Sequence, residues 1–248
     1  MRFWQNQLVR EFLDLSRYFL YFFYYDILMS HNPHNLCTWN EEGDCRDCEL
    51  EGKLNCRWRG SHLVGFFSIM IGALSIAAVG LYLTGLIVGN QFHLIAYIGF
   101  MFFFFNVIET WLLCRHCPYY ARSGRTLHCL ANHGCIKLWD YYPAPMSGRE
   151  KNAMKFFFTL FFTYPLIIQI YGITQLPVIW DFQYTAYLGI LIAGVFSMIG
   201  AYMNLRKYFC THCINFSCPL NKVPEETVKK YLDKNPVMKN AWNSKNLS

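Results

Sequence analysis

Charged residues are scarce in this chain, and their scarcity limits its class. Asp, Glu, Lys and Arg make up 15% of 248 residues, against roughly 25% in a soluble domain. Four long runs, 62–88, 94–113, 156–174 and 182–205, contain a single charge, Glu109. Each run could cross about 30 Å of hydrocarbon as a helix. The sequence therefore disfavours a soluble fold and predicts an all-α integral membrane protein with four transmembrane helices.

Basic residues are missing from two of the connections between these runs. Neither linker 89–93 nor linker 172–180 contains Lys or Arg, although the chain has 22 such residues. Because Lys and Arg concentrate in cytoplasmic loops, this asymmetry predicts cytoplasmic termini and a cytoplasmic 114–153 loop in a multi-pass protein of the cell membrane. A cleavable signal peptide is not expected, since Asp26 follows the apolar "YFLYFFYY" without an A-x-A site.

Several enzyme and electron-transfer motifs are also missing. The chain has no Gly-rich phosphate loop, Ser-His-Asp constellation or nucleotide fingerprint. His62 and His93 lie only at run ends, so a haem pair inside the bilayer is unsupported. No substrate is indicated, and the expected partners are the lipid bilayer and a cytoplasmic redox protein or membrane subunit. Nucleic acid is not expected, because the positive charge follows the membrane boundaries.

Cysteine, by contrast, is abundant, and none of the eleven cysteines lies inside an apolar run. Permanent disulfides are rare in the reducing cytoplasm, so thiols with C-x-x-C spacing are better interpreted as metal ligands. The first group of predicted ligands is Cys37, Cys45, Cys48 and Cys56; the second is Cys114, Cys117, Cys129 and Cys135; the third is Cys210, Cys213 and Cys218.

C-x-x-C spacing suits either zinc or an iron–sulfur cluster. Cys117-Pro118 and Cys218-Pro219 resemble the Cys-Pro that ends a bacterial ferredoxin ligand run, although neither group has the full spacing of that run. We therefore predict iron–sulfur clusters, of the 4Fe–4S type, at the second and third groups. Zinc is the alternative, and the first group is its best candidate because its flanks are polar.

The number of ligands adds a constraint, because three four-ligand sites need twelve and only eleven cysteines exist. The third group would borrow Cys135, use His212, or leave one iron open to a substrate or partner. His116 and His212 each lie between two cysteines of a C-x-H-C motif. They are interpreted either as ligands or hydrogen-bond donors to cluster sulfur, or as ordinary interfacial histidines.

The C-x-H-C motif also suggests an internal repeat. Segments 113–117 and 209–213 each follow two apolar runs, which predicts two repeated hairpins in a four-helix bundle. Both C-x-H-C motifs would then lie at the cytoplasmic surface, close to each other; coincidence is the alternative. The predicted segments are 1–30, an interfacial amphipathic helix; 31–60, a cytoplasmic Cys-rich segment; 61–113, the first hairpin; 114–153, a cytoplasmic Cys-rich loop; 154–205, the second hairpin; and 206–248, a cytoplasmic Cys-rich tail with a short helix near 224–235.

Smaller features predict packing inside the membrane. Two stripes of small residues would let helices approach closely: Ala73, Ala77, Gly80 and Thr84, and Gly189, Ala193, Ser197 and Ala201. Gln169 would satisfy a backbone group freed by Pro165. Glu109 is either a functional carboxylate, for proton relay or quinone binding, or a hydrated residue near the interface, which we favour.

Three functions are consistent with these observations. The first is a membrane-bound iron–sulfur protein that transfers electrons between a cytoplasmic carrier, such as a ferredoxin or flavodoxin, and a membrane or protein acceptor; it could be a subunit of an oxidoreductase. The second is a zinc-stabilised membrane adaptor without a redox role. The third is a thiol–disulfide oxidoreductase, which requires a thiol of unusually low pKa.

Overall fold

The computed structural model describes residues 32–40, 45, 47–176 and 182–246. The predicted interfacial helix of residues 1–30 lies outside the described residues. Within the described ranges the protein is all-helical, with an isolated antiparallel bridge between Thr126 and Ile136 and no β-strand.

Four helices are long and apolar enough to cross a membrane, with mean hydropathies of 1.7 to 2.2. They are α1, Gly60–Val88; α2, Phe92–Phe103, which continues through a π-helical turn at Phe104–Ile108 into Glu109–Leu112; α3, Gly148–Thr174; and α4, Phe182–Asn204, followed by a π-helical turn at Leu205–Phe209. The four predicted membrane helices of a multi-pass protein are thus confirmed.

Helix α3 begins eight residues before its apolar run because a capping box fixes its start. The Ser147 hydroxyl accepts a hydrogen bond from the Glu150 backbone N–H at 3.3 Å. The Glu150 carboxylate accepts one from the Ser147 N–H at 2.7 Å. Satisfying these otherwise unpaired donors stabilises the polar first turn of the helix.

The small-residue stripe on α1 is a packing face, as predicted. The predicted stripe on α4 is confirmed at Ala201 and wrong at Gly189 and Ala193. Ala73 and Ala77 are buried against Met198 and Ala201 of α4. Residues 189 and 193 are exposed. The buried face of α4 instead comprises Tyr187, Gly194, Met198 and Ala201. Steps of four residues advance about 40° beyond a full turn, so a long i+4 stripe rotates away from one contact.

A buried polar cluster joins three helices within the membrane. Gln169 donates from Nε2 to the carbonyl of Pro165 at 3.1 Å. The carbonyl that Pro165 leaves unpaired is that of Phe161, and it accepts a hydrogen bond from the Tyr97 hydroxyl at 3.0 Å. The predicted compensation by Gln169 is therefore wrong. The Tyr187 hydroxyl donates to the Gln169 carbonyl at 3.0 Å and lies 2.5 Å from the Thr84 hydroxyl. These bonds satisfy polar groups that would otherwise be unpaired in hydrocarbon.

The tail contains two helices, α5, Glu225–Asp233, and α6, Pro236–Asn246. The first confirms the predicted short helix, with Lys230 paired to Glu226 at 3.1 Å; the second was not predicted. Tyr231 and Met238 are buried in the core that contains Cys114, Cys117 and Cys129. The tail therefore packs against the Cys-rich segments.

Candidate metal centre

Six cysteines from the second and third groups line one cavity of about 170 Å³ at the ends of α2 and α4. They are Cys114, Cys117, Cys129, Cys210, Cys213 and Cys218. Apolar side chains of the spanning helices, including Phe66, Phe104 and Phe161, form another part of the wall. The two C-x-H-C motifs, about 96 residues apart in sequence, thus contribute to one site.

The ends of α2 and α4 position these thiols. Each helix passes through a π-helical turn shortly before its first cysteine, and such turns are frequent at functional sites. After α4, the Cys210 N–H reaches back to the Leu205 carbonyl at 2.9 Å. Asn215 Nδ2 donates to the Leu113 carbonyl at 3.0 Å. This last bond ties the loop after α4 to the end of α2.

Hydrogen bonds converge on the sulfur atoms. Asn132 donates its backbone N–H to Cys129 Sγ at 3.0 Å and its Nδ2 to Cys114 Sγ at 3.3 Å. The Leu220 N–H donates to Cys218 Sγ at 3.4 Å. Such bonds favour thiolate and tune the reduction potential of a cluster.

Two more cavity cysteines accept backbone hydrogen bonds. Cys117 accepts one from the backbone of Tyr119, and Cys213 accepts one from the backbone of Asn215. Together with Cys129 and Cys218, four cavity thiols outside the spanning helices therefore accept a hydrogen bond from a backbone N–H.

Burial opposes ionisation of these thiols. Desolvation, followed by the neighbouring Cys213, raises the pKa of Cys210 to about 12. It raises the pKa of Cys129 to about 12 despite the Asn132 backbone bond. Desolvation is also the main cause that raises the pKa values of Cys117, Cys213 and Cys218. The thiols are protonated near pH 7 unless a cation offsets the cost of the thiolates.

Glu109 belongs to this site, and its interpretation as a hydrated residue is wrong. Its side chain is only 6% exposed and lines the cavity. Its Oε2 accepts a hydrogen bond from Asn132 Nδ2 at 3.1 Å. The loop that contains Asn132 covers the end of α2 and separates the carboxylate from bulk water.

The histidines of the C-x-H-C motifs make other contacts. His116 Nδ1 is 2.7 Å from the Ala144 carbonyl. His212 Nδ1 is 2.9 Å from the Thr211 hydroxyl. Neither histidine lines the cavity within the described part of the chain. In a tight turn, residues i and i+3 lie on one side, so the two cysteines face the cavity and the intervening histidine faces away.

Cys117, and not Cys135, lies near the third group. Among the cysteines, Cys213 acts most strongly on Cys117, followed by Cys129 and then Cys218, whereas Cys135 is absent from the described cavity lining. Cys135 pairs through its backbone carbonyl with the Leu127 N–H at 2.9 Å. Borrowing Cys135 or using His212 is thus disfavoured, and Cys117 is the better fourth thiol. A ligand role of Cys135 toward Cys114 and Cys129 stays a prediction.

The first cysteine group shares a separate neighbourhood. Burial raises the pKa of Cys56 to about 12, and the nearby Cys37, Cys48 and Cys45 raise it further. Cys37 Sγ accepts a hydrogen bond from Asn235 Nδ2 at 3.2 Å. The four thiols therefore lie in one neighbourhood, and Cys37 contacts the tail.

None of these groups is arranged for a single ion. In the described ranges, no three His, Cys, Asp or Glu side chains are placed to hold one metal ion. In a tetrahedral zinc site, Zn–S bonds of about 2.3 Å put sulfurs roughly 3.8 Å apart. The iron–sulfur prediction for the six-thiol cavity stays a prediction. The zinc prediction for the first group stays a prediction.

Three asparagines that were not predicted as site residues support the sulfurs or their loops. Asn132 donates to two sulfurs, Asn215 joins the two loops, and Asn235 donates to Cys37. A signal was present for two of them, because Asn132 lies three residues after Cys129 and Asn215 two after Cys213. An amide soon after a ligand cysteine can bond the sulfur or its turn.

Comparison with known proteins assigns the chain to no family. Its proposed function therefore rests on the chain's own residues. No protein-family model, curated protein or solved structure matches the chain.

Proposed function

We propose that this chain is a membrane-bound iron–sulfur protein that transfers electrons at the cytoplasmic face between a cytoplasmic carrier and a membrane or protein acceptor. The observation that carries the proposal is the single cavity lined by six cysteines from two distant loops. Thiolates are the ligands that iron–sulfur clusters use. Aromatic walls on the membrane side would shield such a centre from water.

The ligand assignment follows the neighbours of each thiol. Cys117 would join Cys210, Cys213 and Cys218 at one cluster, in keeping with the crossed Cys-Pro ligand of two-cluster ferredoxins. Cys114 and Cys129 would hold a second cluster. Cys135 is the remaining thiol of their group and would join them. When bound, each cluster supplies one-electron chemistry. The protein's residues hold the clusters, and Asn132 sets the electrostatics at two of the sulfurs.

The thiol oxidoreductase alternative receives less support. A nucleophilic cysteine needs a lowered pKa, whereas burial raises the pKa of Cys117, Cys129, Cys210, Cys213 and Cys218. The zinc adaptor stays the second candidate, because the four thiols of the first group lie together near the tail.

The proposed membrane arrangement comprises two repeated hairpins with both termini and all Cys-rich segments in the cytoplasm. Its support is the linker charge asymmetry. A π-helical turn lies near the end of the second helix of each pair. The two turns are offset by five residues when Cys114 is aligned with Cys210, so the repeat itself is supported by the shared C-x-H-C motif alone.

A pair of single variants tests the proposal. Cys213→Ser removes a thiol of the cavity and should lower bound iron and sulfide by about one cluster. His212→Ala, one residue away but outside the cavity lining, is the matched control and should leave both unchanged. Iron and sulfide would be measured on protein purified in detergent without oxygen. Equal content in the variant, the control and the parent would contradict the proposal.

A further inference from the structure

The ligand count of the candidate metal centre leaves one position without a thiol. Because Cys117 joins the third group in the proposed assignment, the second cluster keeps only Cys114, Cys129 and Cys135. A 4Fe–4S cluster has one protein ligand for each of its four irons. Either another side chain of the cavity binds the fourth iron, or that iron stays open.

Glu109 lies beside the three thiols of this second cluster. Its side chain lines the cavity together with those of Cys114 and Cys129. The Nδ2 atom of Asn132 is 3.1 Å from Glu109 Oε2 and 3.3 Å from Cys114 Sγ, so a single nitrogen joins the carboxylate to a sulfur. Desolvation, followed by the negative charge of Glu109, raises the pKa of Cys135 to about 11, which places this thiol near the carboxylate as well.

The Glu109 carboxylate has no cationic partner in the described lining of this cavity. That lining contains no Lys, Arg or His side chain, and Glu109 is only 6% exposed. A buried carboxylate is ordinarily paired with a cation or bound to a metal, and otherwise keeps its proton. The irons of the proposed cluster would supply the positive charge that the described side chains do not.

We propose that Glu109 is the fourth ligand of the second cluster and binds one iron through a carboxylate oxygen. This inference rests on the proposed function. Asn132, which donates to the same carboxylate, orients it toward the iron, as hydrogen-bond partners of metal ligands do. Iron–sulfur clusters select soft thiolate ligands, and a carboxylate suits harder ions. The iron that Glu109 binds is therefore the one that its cluster releases most easily.

Glu109→Gln tests the proposal because the glutamine keeps an oxygen that accepts the Asn132 hydrogen bond but loses the negative charge. Bound iron should fall by about one atom per protein, with sulfide unchanged, since the other ligands of the cluster remain. Both would be measured on full-length protein purified in detergent without oxygen. Glu225→Gln removes the same charge at the exposed start of α5 and should match the parent. A purely structural Glu109, or one that keeps its proton, predicts no change in Glu109→Gln.

Mössbauer spectra of the parent, grown on isotopically enriched iron, give a second measurement that needs no variant. One iron should differ from the thiolate-bound irons, and this component should disappear in Glu109→Gln. Clusters whose iron content and spectrum are the same in parent and Glu109→Gln would overturn the ligand assignment and leave the proposed function standing. A parent without iron and sulfide would overturn both.

Discussion

At the residue scale, Asn132 is the most connected polar group of the candidate centre. It is 2% exposed and donates to Glu109, Cys114 and Cys129 through its side chain and backbone. A single amide thus links the buried carboxylate to the thiols. Its removal affects both the fold and the electrostatics of the site.

Asn132→Leu should lower the free energy of unfolding by about 1–3 kcal/mol, because the Glu109 carboxylate loses a buried donor. Thermal unfolding in detergent would measure the loss. Asn106→Leu is the control, since Asn106 Nδ2 contacts only the Phe102 carbonyl at an exposed site, and it should change little. The Asn132→Leu loss should shrink in a Glu109→Gln background; an undiminished loss would contradict the coupling.

Thiol ionisation predicts how metal binding depends on pH. The metal-free thiols of Cys210 and Cys129 have pKa values of about 12, so they hold their protons between pH 7 and 8. Metal binding must displace those protons, and each one makes affinity rise about tenfold per pH unit. Reconstitution of the metal-free protein with iron and sulfide should therefore show at least tenfold tighter iron binding at pH 8 than at pH 7. Affinity independent of pH would contradict buried thiol ligands.

At the element scale, the contact between α1 and α3 depends on a glycine. A Cβ added at Gly80 would overlap the side chain of Gln169, which is fully buried. At Gly72 on the same helix, a Cβ would meet nothing within 4 Å. The two positions therefore separate a packing effect from a helix-propensity effect.

Gly80→Val should destabilise the protein by about 1–3 kcal/mol through overpacking, whereas Gly72→Val should have little effect. Thermal unfolding of both variants in the same detergent checks this difference. Similar unfolding temperatures for the two variants would mean that α1 and α3 do not approach as closely as described.

The hydropathy pattern predicted which segments form spanning helices better than it predicted which side of each helix is buried. The four spanning helices follow from apolar runs alone, since lipid leaves helices as the simplest way to satisfy the backbone. The buried face of α4 did not follow from its small residues, because the stripe of Gly189 and Ala193 rotates away from the contact. The start of α3 was missed because Ser147 and Glu150 extend it through polar sequence.

At the scale of the whole molecule, the repeated C-x-H-C motif predicted that the two motifs lie close together, and both contribute cysteines to one cavity. The C-x-x-C spacing did not predict that Cys117 lies near the third group, because a long-range contact of this kind leaves no local pattern. The histidines of the C-x-H-C motif were equally ambiguous, since only the turn geometry shows that His116 and His212 face away from the thiols. The burial of Glu109 beside Asn132 was not predicted, because the loop that contains Asn132 is distant in sequence.

The membrane orientation leads to a further prediction. Because basic residues are absent from linkers 89–93 and 172–180, protease-cleavable tags at both termini should be protected in intact cells. The same tags should be cleaved in inverted membrane vesicles. A tag inserted in linker 89–93 should show the reverse pattern and serves as the control. Cleavage of a terminal tag in intact cells would contradict the cytoplasmic placement.

The most direct test of the central claim is the iron, sulfide and zinc content of the protein purified in detergent without oxygen, with absorbance spectra before and after dithionite. The account predicts about four irons and four sulfides per cluster, with a broad absorbance that bleaches on reduction. Stoichiometric zinc without iron, sulfide or that absorbance would contradict it.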